Sequence, residues 1–102
     1  MATYFLVEYA NGPAWDPGKP RREQLGWDDH AAFVDGLAEQ GVVRLAGPVG
    51  DGADEYALVV ASAASEPALR QRLEEDPWLG SILTIRSLKP WTIWGGSNAG
   101  SW

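Results

Sequence analysis

The sequence contains no cysteine, which excludes disulfides, thiol nucleophiles and the cysteine-based zinc and iron–sulfur sites. A single histidine is present, so a histidine-rich metal site is excluded as well. The chain also lacks a run of about 18 apolar residues and a basic segment followed by an apolar stretch, which are the marks of a membrane span and of an export signal. We therefore expect no membrane partner and a cytoplasmic location.

Positive charge is scarce. Aspartate and glutamate number 14 against 8 lysines and arginines, which gives a net charge of -6. An acidic surface is unsuited to the phosphate backbone of nucleic acids and to anionic lipid headgroups. The composition therefore predicts no nucleic-acid partner.

Tryptophan is abundant, with six in 102 residues. A chain of this length forms one domain and buries only about 65% of its unfolded surface when alone. Six indoles are too many for one small core, so several are expected to line a pocket, lie in a subunit contact or sit exposed. Homodimerisation is one way to bury more apolar surface.

The only histidine, His30, lies in a segment with helical periodicity. Phe33, Val34 and Leu37 follow it by three, four and seven positions, which places all four side chains on one stripe of a helix. The predicted helix is capped by Asp28 or a neighbour and runs to Gln40, where Gly41 forms a left-handed C-cap. Its Gly36 is expected to mark close packing. His30 should therefore point toward the core or into a cleft.

The remaining elements follow from strand and turn signals. Strands are predicted at 3–9, 42–46, 56–61 and 81–88, with 91–94 as a candidate extension of the last one. The second and third strands are predicted to form a hairpin. Residues 11–26 are predicted to form a long loop, a feature that is often functional. Ser65 caps a second helix that ends near Asp76. Residues 1–94 form the domain, and 95–102 are predicted to be a flexible tail.

The element order is βαββαβ, the ferredoxin-like arrangement, with an antiparallel four-stranded sheet and two helices on one face. A doubly wound parallel sheet is the weaker alternative. Right-handed crossovers bring the start of the first helix, the end of the second, the end of the first strand and Gly47-Pro48 to one edge of the sheet. His30 and Asp76 are therefore predicted to be neighbours.

Asp76 falls on the buried stripe of the second helix, at a C-terminus where the dipole disfavours an anion. His30 is the natural partner, and the carboxylate would fix which ring nitrogen faces a substrate, as in catalytic His-Asp pairs. The two are the catalytic candidates. The alternative is that His30 is a hydrogen-bonded structural residue and that Asp76 only ends the helix.

Six further residues are predicted to contact a substrate. Trp27 and Trp78 flank the pair in sequence and are candidate pocket walls; the others are Tyr9, Arg21, Gly47 and Pro48. Each has an ordinary structural alternative, such as a solvated arginine pair for Arg21 and Arg22 or a plain strand exit for Gly47-Pro48. No metal ligands are predicted, since Asp28 and Asp29 suit the helix dipole better.

The chain resembles the YCII-related (YciI-like) family over residues 3–94. The resemblance rests on the first strand, the segment with His30, Gly41 to Pro48, Glu75-Asp76-Pro77-Trp78 and Lys89-Pro90-Trp91. It implies a dimeric α+β barrel, in which two ferredoxin-like subunits pack sheet against sheet, and a His-Asp active site at His30 and Asp76. The long loop with Trp15, Pro17 and Arg21 departs from shorter family versions.

Three functions remain open at this stage. The first is a cofactor-independent enzyme that uses His30 and Asp76 for elimination, isomerisation or hydrolysis of a small, aromatic or cyclic compound. The second is a non-catalytic binding or accessory protein with the same cleft. The third is an assembly module, in which side chains would fill the cleft.

Overall fold

The computed structural model describes residues 3–96. Four strands and two α-helices follow each other in the predicted βαββαβ order: β1 (Thr3–Asn11), α1 (Trp27–Glu39), β2 (Val43–Val49), β3 (Tyr56–Ala63), α2 (Glu66–Leu73) and β4 (Leu83–Pro90). Short 3-10 turns lie in the loops after β1 and β2, at Arg21–Glu23 and Gly52–Asp54. The structure is α+β and compatible with a ferredoxin-like fold.

The four strands form one sheet in the order β2-β3-β1-β4. Every neighbouring pair is antiparallel, so the prediction of an antiparallel sheet is confirmed and the parallel alternative is wrong. The β2–β3 hairpin is also confirmed. A register shift between Glu8 and Tyr9 marks a bulge opposite β4, close to the edge where the candidate residues meet.

Both helices pack on the same side of the sheet. Alternate residues of β1, namely Phe5, Val7 and Tyr9, form one core cluster with Leu37 of α1 and Leu69 of α2. Because side chains alternate across a strand, one cluster built from odd-numbered β1 residues means one covered face. Leu6 and Val60 are paired across β1 and β3 on the opposite face.

The start of α1 differs from the prediction. The N-cap is Gly26, at φ 79°, and no side chain caps the helix. Asp28 and Asp29 lie in the first turn, where their charge complements the helix dipole. Gly41 at φ 79° supplies the predicted left-handed conformation after the helix. Gly36 does not mark close packing, because a Cβ there would meet nothing within 4 Å.

The second helix is shorter than predicted. Ser65 caps it as expected, accepting a hydrogen bond from the backbone of Ala68. It ends at Leu73, and residues 74 and 75 continue as a turn before Asp76 and Pro77. Asp76 therefore lies beyond the helix, although it is buried as predicted.

β2 is longer than predicted and continues through Gly47 and Pro48 to Val49. Pro48 pairs with Ala57 of β3, and it is tolerated because β2 is an edge strand with one side free of partners. Gly47-Pro48 is thus part of the sheet and not a strand exit.

β4 is not prolonged by 91–94. It ends at Pro90, opposite Phe5, and only the Trp91 N–H reaches one residue further, to the carbonyl of Tyr4. β1 begins at Thr3, so the partner strand ends almost at the same level. Of the predicted tail, 97–102 lies outside the described residues.

The predicted long loop is held by the side chain of Gln24, which is 3% exposed. Its amide nitrogen donates to the carbonyls of Asp16 and Lys19, at 2.7 and 2.8 Å, and its oxygen accepts from the Asp16 N–H at 2.9 Å. Three bonds from one buried amide give the loop a defined shape before α1 begins. Within residues 3–96, neither helix is long or apolar enough to cross a membrane.

Candidate active site

His30 and Asp76 meet as the topology predicts, although 46 positions separate them. Nδ1 of His30 lies 2.9 Å from both carboxylate oxygens of Asp76. An ionised carboxylate only accepts hydrogen bonds, so Nδ1 carries the proton and donates it to Asp76. In the neutral ring, Nε2 is then left with a lone pair, the form required of a proton acceptor.

Asp76 is held by the turn that follows α2. Its Oδ1 accepts a hydrogen bond from the backbone N–H of Trp78 at 2.9 Å, and its side chain is only 6% exposed. Pro77 between them limits the backbone to the extended geometry that closes this turn. The carboxylate therefore has a fixed position before any ligand binds.

Trp78 fixes the plane of the His30 ring. The two rings are stacked with centroids 4.1 Å apart and 6° between their planes, and Trp78 is 1% exposed. Its indole N–H donates to the carbonyl of Leu25 at 2.8 Å. With Asp76 on one edge and Trp78 on one face, the imidazole has little freedom to rotate.

A cavity of about 800 Å³ opens beside the imidazole, between α1 and the sheet. This volume lies within the range of small-molecule sites, roughly 300–1,000 Å³. The walls come from α1 (Trp27, His30, Phe33, Val34), the long loop (Arg21, Arg22), β1 (Tyr9), β2 (Ala46, Gly47, Pro48), β3 (Ala57, Val59) and Asp76. Most of this lining is apolar.

The sheet register explains why the space stays open. Ala46 and Pro48 of β2 alternate with Gly47, and Pro48 pairs with Ala57. These residues are small or compact, so they leave a gap beneath the helix instead of filling it. The same gap explains why Phe33 and Val34 are only partly buried although they lie on the predicted inward stripe.

Five of the six predicted substrate-contacting residues line this cavity: Tyr9, Arg21, Trp27, Gly47 and Pro48. Trp78 was predicted to be a pocket wall but does not line the cavity, because it is packed behind the imidazole of His30. Trp27, whose ring centroid lies 5.8 Å from that of His30 and 5.6 Å from that of Trp78, forms the wall next to the pair.

Arg21 is neither a solvated residue nor a free anion clamp. Its guanidinium pairs with Glu55 at 2.9 Å and lies over the ring of Trp15, 5.0 Å from the centroid. Its Nη1 is buried without a hydrogen-bond partner among residues 3–96. The pair ties the long loop to the start of β3, and Glu55 neutralises most of the charge that Arg21 would offer to an anion.

Sequence reasoning missed Glu55 and Gln24. Each is a common polar residue in a turn-rich segment, and nothing in its neighbours indicates a buried partner. Tyr9, by contrast, could be predicted, because the end of the first strand reaches the same edge of the sheet as His30 and Asp76. Burial and the nearby carboxylate of Asp76 both raise the pKa of Tyr9 above its ordinary value.

Residues 3–96 contain no cluster of three or more His, Asp or Glu side chains arranged to hold a metal ion. The site is built from one imidazole, one paired carboxylate, one phenol and an apolar wall. Such a set can accept and return a proton and can donate a hydrogen bond to a ligand.

The chain has no match among models of known protein families, curated proteins or solved structures. The geometry of the site alone therefore carries the functional argument.

Proposed function

We propose that this chain is a small enzyme in which His30 serves as general acid and base and Asp76 orients it. One observation carries the proposal: Nδ1 is bound to a buried carboxylate while the imidazole, 13% exposed, lies in the wall of a large cavity. A structural histidine needs no cavity beside it. The reaction class is elimination, isomerisation or hydrolysis of a small, aromatic or cyclic compound, without a cofactor.

The two ring nitrogens of His30 have different roles in this proposal. Asp76 keeps the proton on Nδ1, so Nε2 is the atom that takes a proton from the substrate. The resulting imidazolium is stabilised by the carboxylate and then returns the proton to the product or leaving group. Trp27 and Phe33 give a ring-shaped substrate apolar surface to lie against.

The test is a turnover screen of small lactones, enones and halogenated phenols, followed by NMR. His30→Asn should lower the rate by about 10²- to 10⁴-fold, the usual range for a general acid-base group. Asp29→Asn, one residue away on the exposed side of α1, is the matched control and should retain the rate. Equal turnover by His30→Asn and the wild type would overturn the proposal.

A second candidate is a binding or accessory protein that uses the same cavity. The mostly apolar lining and the tryptophan wall favour it, since they suit ligand retention as well as catalysis. A binding function predicts that ligands quench the fluorescence of Trp27 and are released without chemical change. An assembly module is disfavoured, because the cleft is open and not filled.

We further propose the dimeric α+β barrel and the YCII-related family for this chain. The sheet face opposite the helices supports the dimer, because it carries Leu6 and Leu58, which are only partly buried, together with Leu45, which is 57% exposed. A second copy packed face to face would bury this apolar surface. The His30–Asp76 pair supports the family.

A further inference from the structure

The hydroxyl of Tyr9 is left without a hydrogen bond in the described part of the chain. Tyr9 is 6% exposed and lies on the core side of β1, yet its hydroxyl makes no hydrogen bond to any residue in 3–96. It is also not sealed among protein atoms, since the only buried polar side-chain atom without a partner in this range is Nη1 of Arg21. The cavity that Tyr9 lines is therefore what the hydroxyl faces.

The hydroxyl is suited to donate a hydrogen bond. Burial raises the pKa of Tyr9, and the carboxylate of Asp76 raises it further, so the phenol stays protonated across the physiological range. A buried hydroxyl donor without a protein partner favours the binding of ligands that present an acceptor oxygen to it. Asp76 itself is committed to His30 and to the Trp78 N–H.

The charges around the cavity indicate which acceptor fits. Four carboxylates line it, those of Glu23, Asp35, Glu55 and Asp76, against the guanidinium groups of Arg21 and Arg22. Arg21 is already paired with Glu55. A ligand that brought its own carboxylate or phosphate would meet net negative charge, whereas a carbonyl oxygen would not.

We propose that the substrate is an uncharged cyclic carbonyl compound whose carbonyl oxygen accepts a hydrogen bond from Tyr9 while His30 Nε2 removes a proton from the adjacent carbon. This step rests on the function proposed above and names its substrate class. The C–H bond breaks, the proton goes to Nε2, and the electron pair moves onto the carbonyl oxygen as an enolate. Return of the proton to another carbon gives an isomer, and loss of a leaving group from the next carbon gives elimination.

Binding tests the recognition part. The probes are α-tetralone, which carries the carbonyl, and tetralin, which has the same rings without it. One neutral hydrogen bond corresponds to an affinity ratio between about twofold and tenfold. We expect the wild type to prefer α-tetralone by this ratio, followed through the Trp27 indole N–H signal in NMR titrations. Tyr9→Phe should bring both affinities to the tetralin value.

Tyr56→Phe is the matched control. It removes a phenol hydroxyl from a partly buried tyrosine that lies under Arg86 and away from the cavity, and it should leave both affinities unchanged. The melting temperature of Tyr9→Phe should be retained, since the lost hydroxyl bonds to no described residue. Equal binding of the two probes by the wild type, or an unchanged preference in Tyr9→Phe, would overturn the recognition by Tyr9.

Exchange tests the proton step separately. In D₂O, the wild type should exchange the hydrogens beside the carbonyl of α-tetralone, Tyr9→Phe should do so about 10²-fold more slowly, and His30→Asn should bind the ketone without exchanging it. Preferential ketone binding without exchange would overturn the function of His30 while supporting Tyr9. Exchange that is insensitive to Tyr9→Phe would overturn the role of Tyr9 while supporting His30.

Discussion

Three side chains restrain the catalytic imidazole, and each uses a different interaction. Asp76 fixes the proton on Nδ1, Trp78 fixes the ring plane by stacking at 4.1 Å, and Trp27 lies beside the ring at a centroid distance of 5.8 Å. Such restraint has a functional consequence, because a proton acceptor works best when its lone pair already points at the reacting atom.

Trp78→Phe should lower the free energy of unfolding by about 1–3 kcal/mol, because it removes the hydrogen bond to the carbonyl of Leu25 and leaves unfilled space around a side chain that is 1% exposed. Urea unfolding gives the measurement. Trp94→Phe is the control, since Trp94 is 91% exposed and its replacement should change stability by less than about 0.5 kcal/mol. Similar values for the two variants would contradict the role of Trp78.

Tyr9 predicts a loss of stability at alkaline pH. Its pKa in the folded state is raised above the unfolded value of 10.0. The contribution of the protonated phenol to the free energy of unfolding is therefore complete below about pH 10 and is lost as the pH rises toward the folded pKa. In that range the wild type should lose up to about 1.4 kcal/mol per pH unit more than Tyr9→Phe. Parallel stability profiles for the two proteins above pH 10 would contradict the burial of this phenol.

The pair itself could be predicted at the residue scale, because strand directions alone bring the start of α1 and the end of α2 to one edge of the sheet. The position of Trp78 could not. Sequence proximity to Asp76 suggests a pocket wall, but whether an indole lines a cavity or lies behind its neighbour depends on one backbone turn. The Arg21–Glu55 contact was equally invisible, since it joins two irregular loops.

Among the elements, α1 matters most to the site. It begins directly after Gly26, whose φ of 79° lets the loop turn into the helix and lets the Trp78 indole approach closely. A Cβ on Gly26 would lie 3.3 Å from Trp78 Nε1. The left-handed start and the packing of Trp78 are therefore one structural unit.

Gly26→Ala should destabilise the protein by at least about 1–2 kcal/mol, the cost of a left-handed conformation for an L-residue. Gly36→Ala is the matched control in the same helix. No atom lies within 4 Å of its Cβ position, so it should stabilise the protein by about 0.5–1 kcal/mol. Thermal unfolding of both variants distinguishes them by sign, and a shift of the same sign would contradict this account of α1.

The type of each element, helix or strand, could be predicted from the periodicity of its residues. The residues at which the elements begin and end could not. Pro48 suggested the end of β2, but its missing N–H costs nothing on an edge strand. Trp91 to Trp94 suggested a longer β4, but its pairing with β1 stops at Phe5 and Pro90. The ends of β2 and β4 both depend on which strands are neighbours in the sheet. The residues within each strand do not reveal this.

At the scale of the whole molecule, the two faces of the sheet have different roles. The helix-covered face leaves a cavity because β2 and β3 contribute small side chains to it, and this could not be predicted before the register was known. On the other face Leu45 is 57% exposed and Leu6 and Leu58 are only partly buried in the single chain, which supports the proposed dimer.

Leu45→Glu should convert the proposed dimer to a monomer, because a carboxylate on this apolar face would be buried without a partner in the dimer. Leu25→Glu, in the loop before α1 and 87% exposed, is the control and should remain dimeric. Analytical ultracentrifugation at micromolar concentration gives the oligomeric state. A monomeric wild type would contradict the face-to-face assembly.

The most direct test of the central claim is the tautomer of His30, read from its ring nitrogens by ¹⁵N NMR. One histidine makes the assignment unambiguous. The account predicts that the neutral ring carries its proton on Nδ1 and presents an unprotonated Nε2 to the cavity, and that Asp76→Ala removes this preference. A neutral ring protonated on Nε2 in the wild type would contradict the orienting role of Asp76 and with it the proposed chemistry.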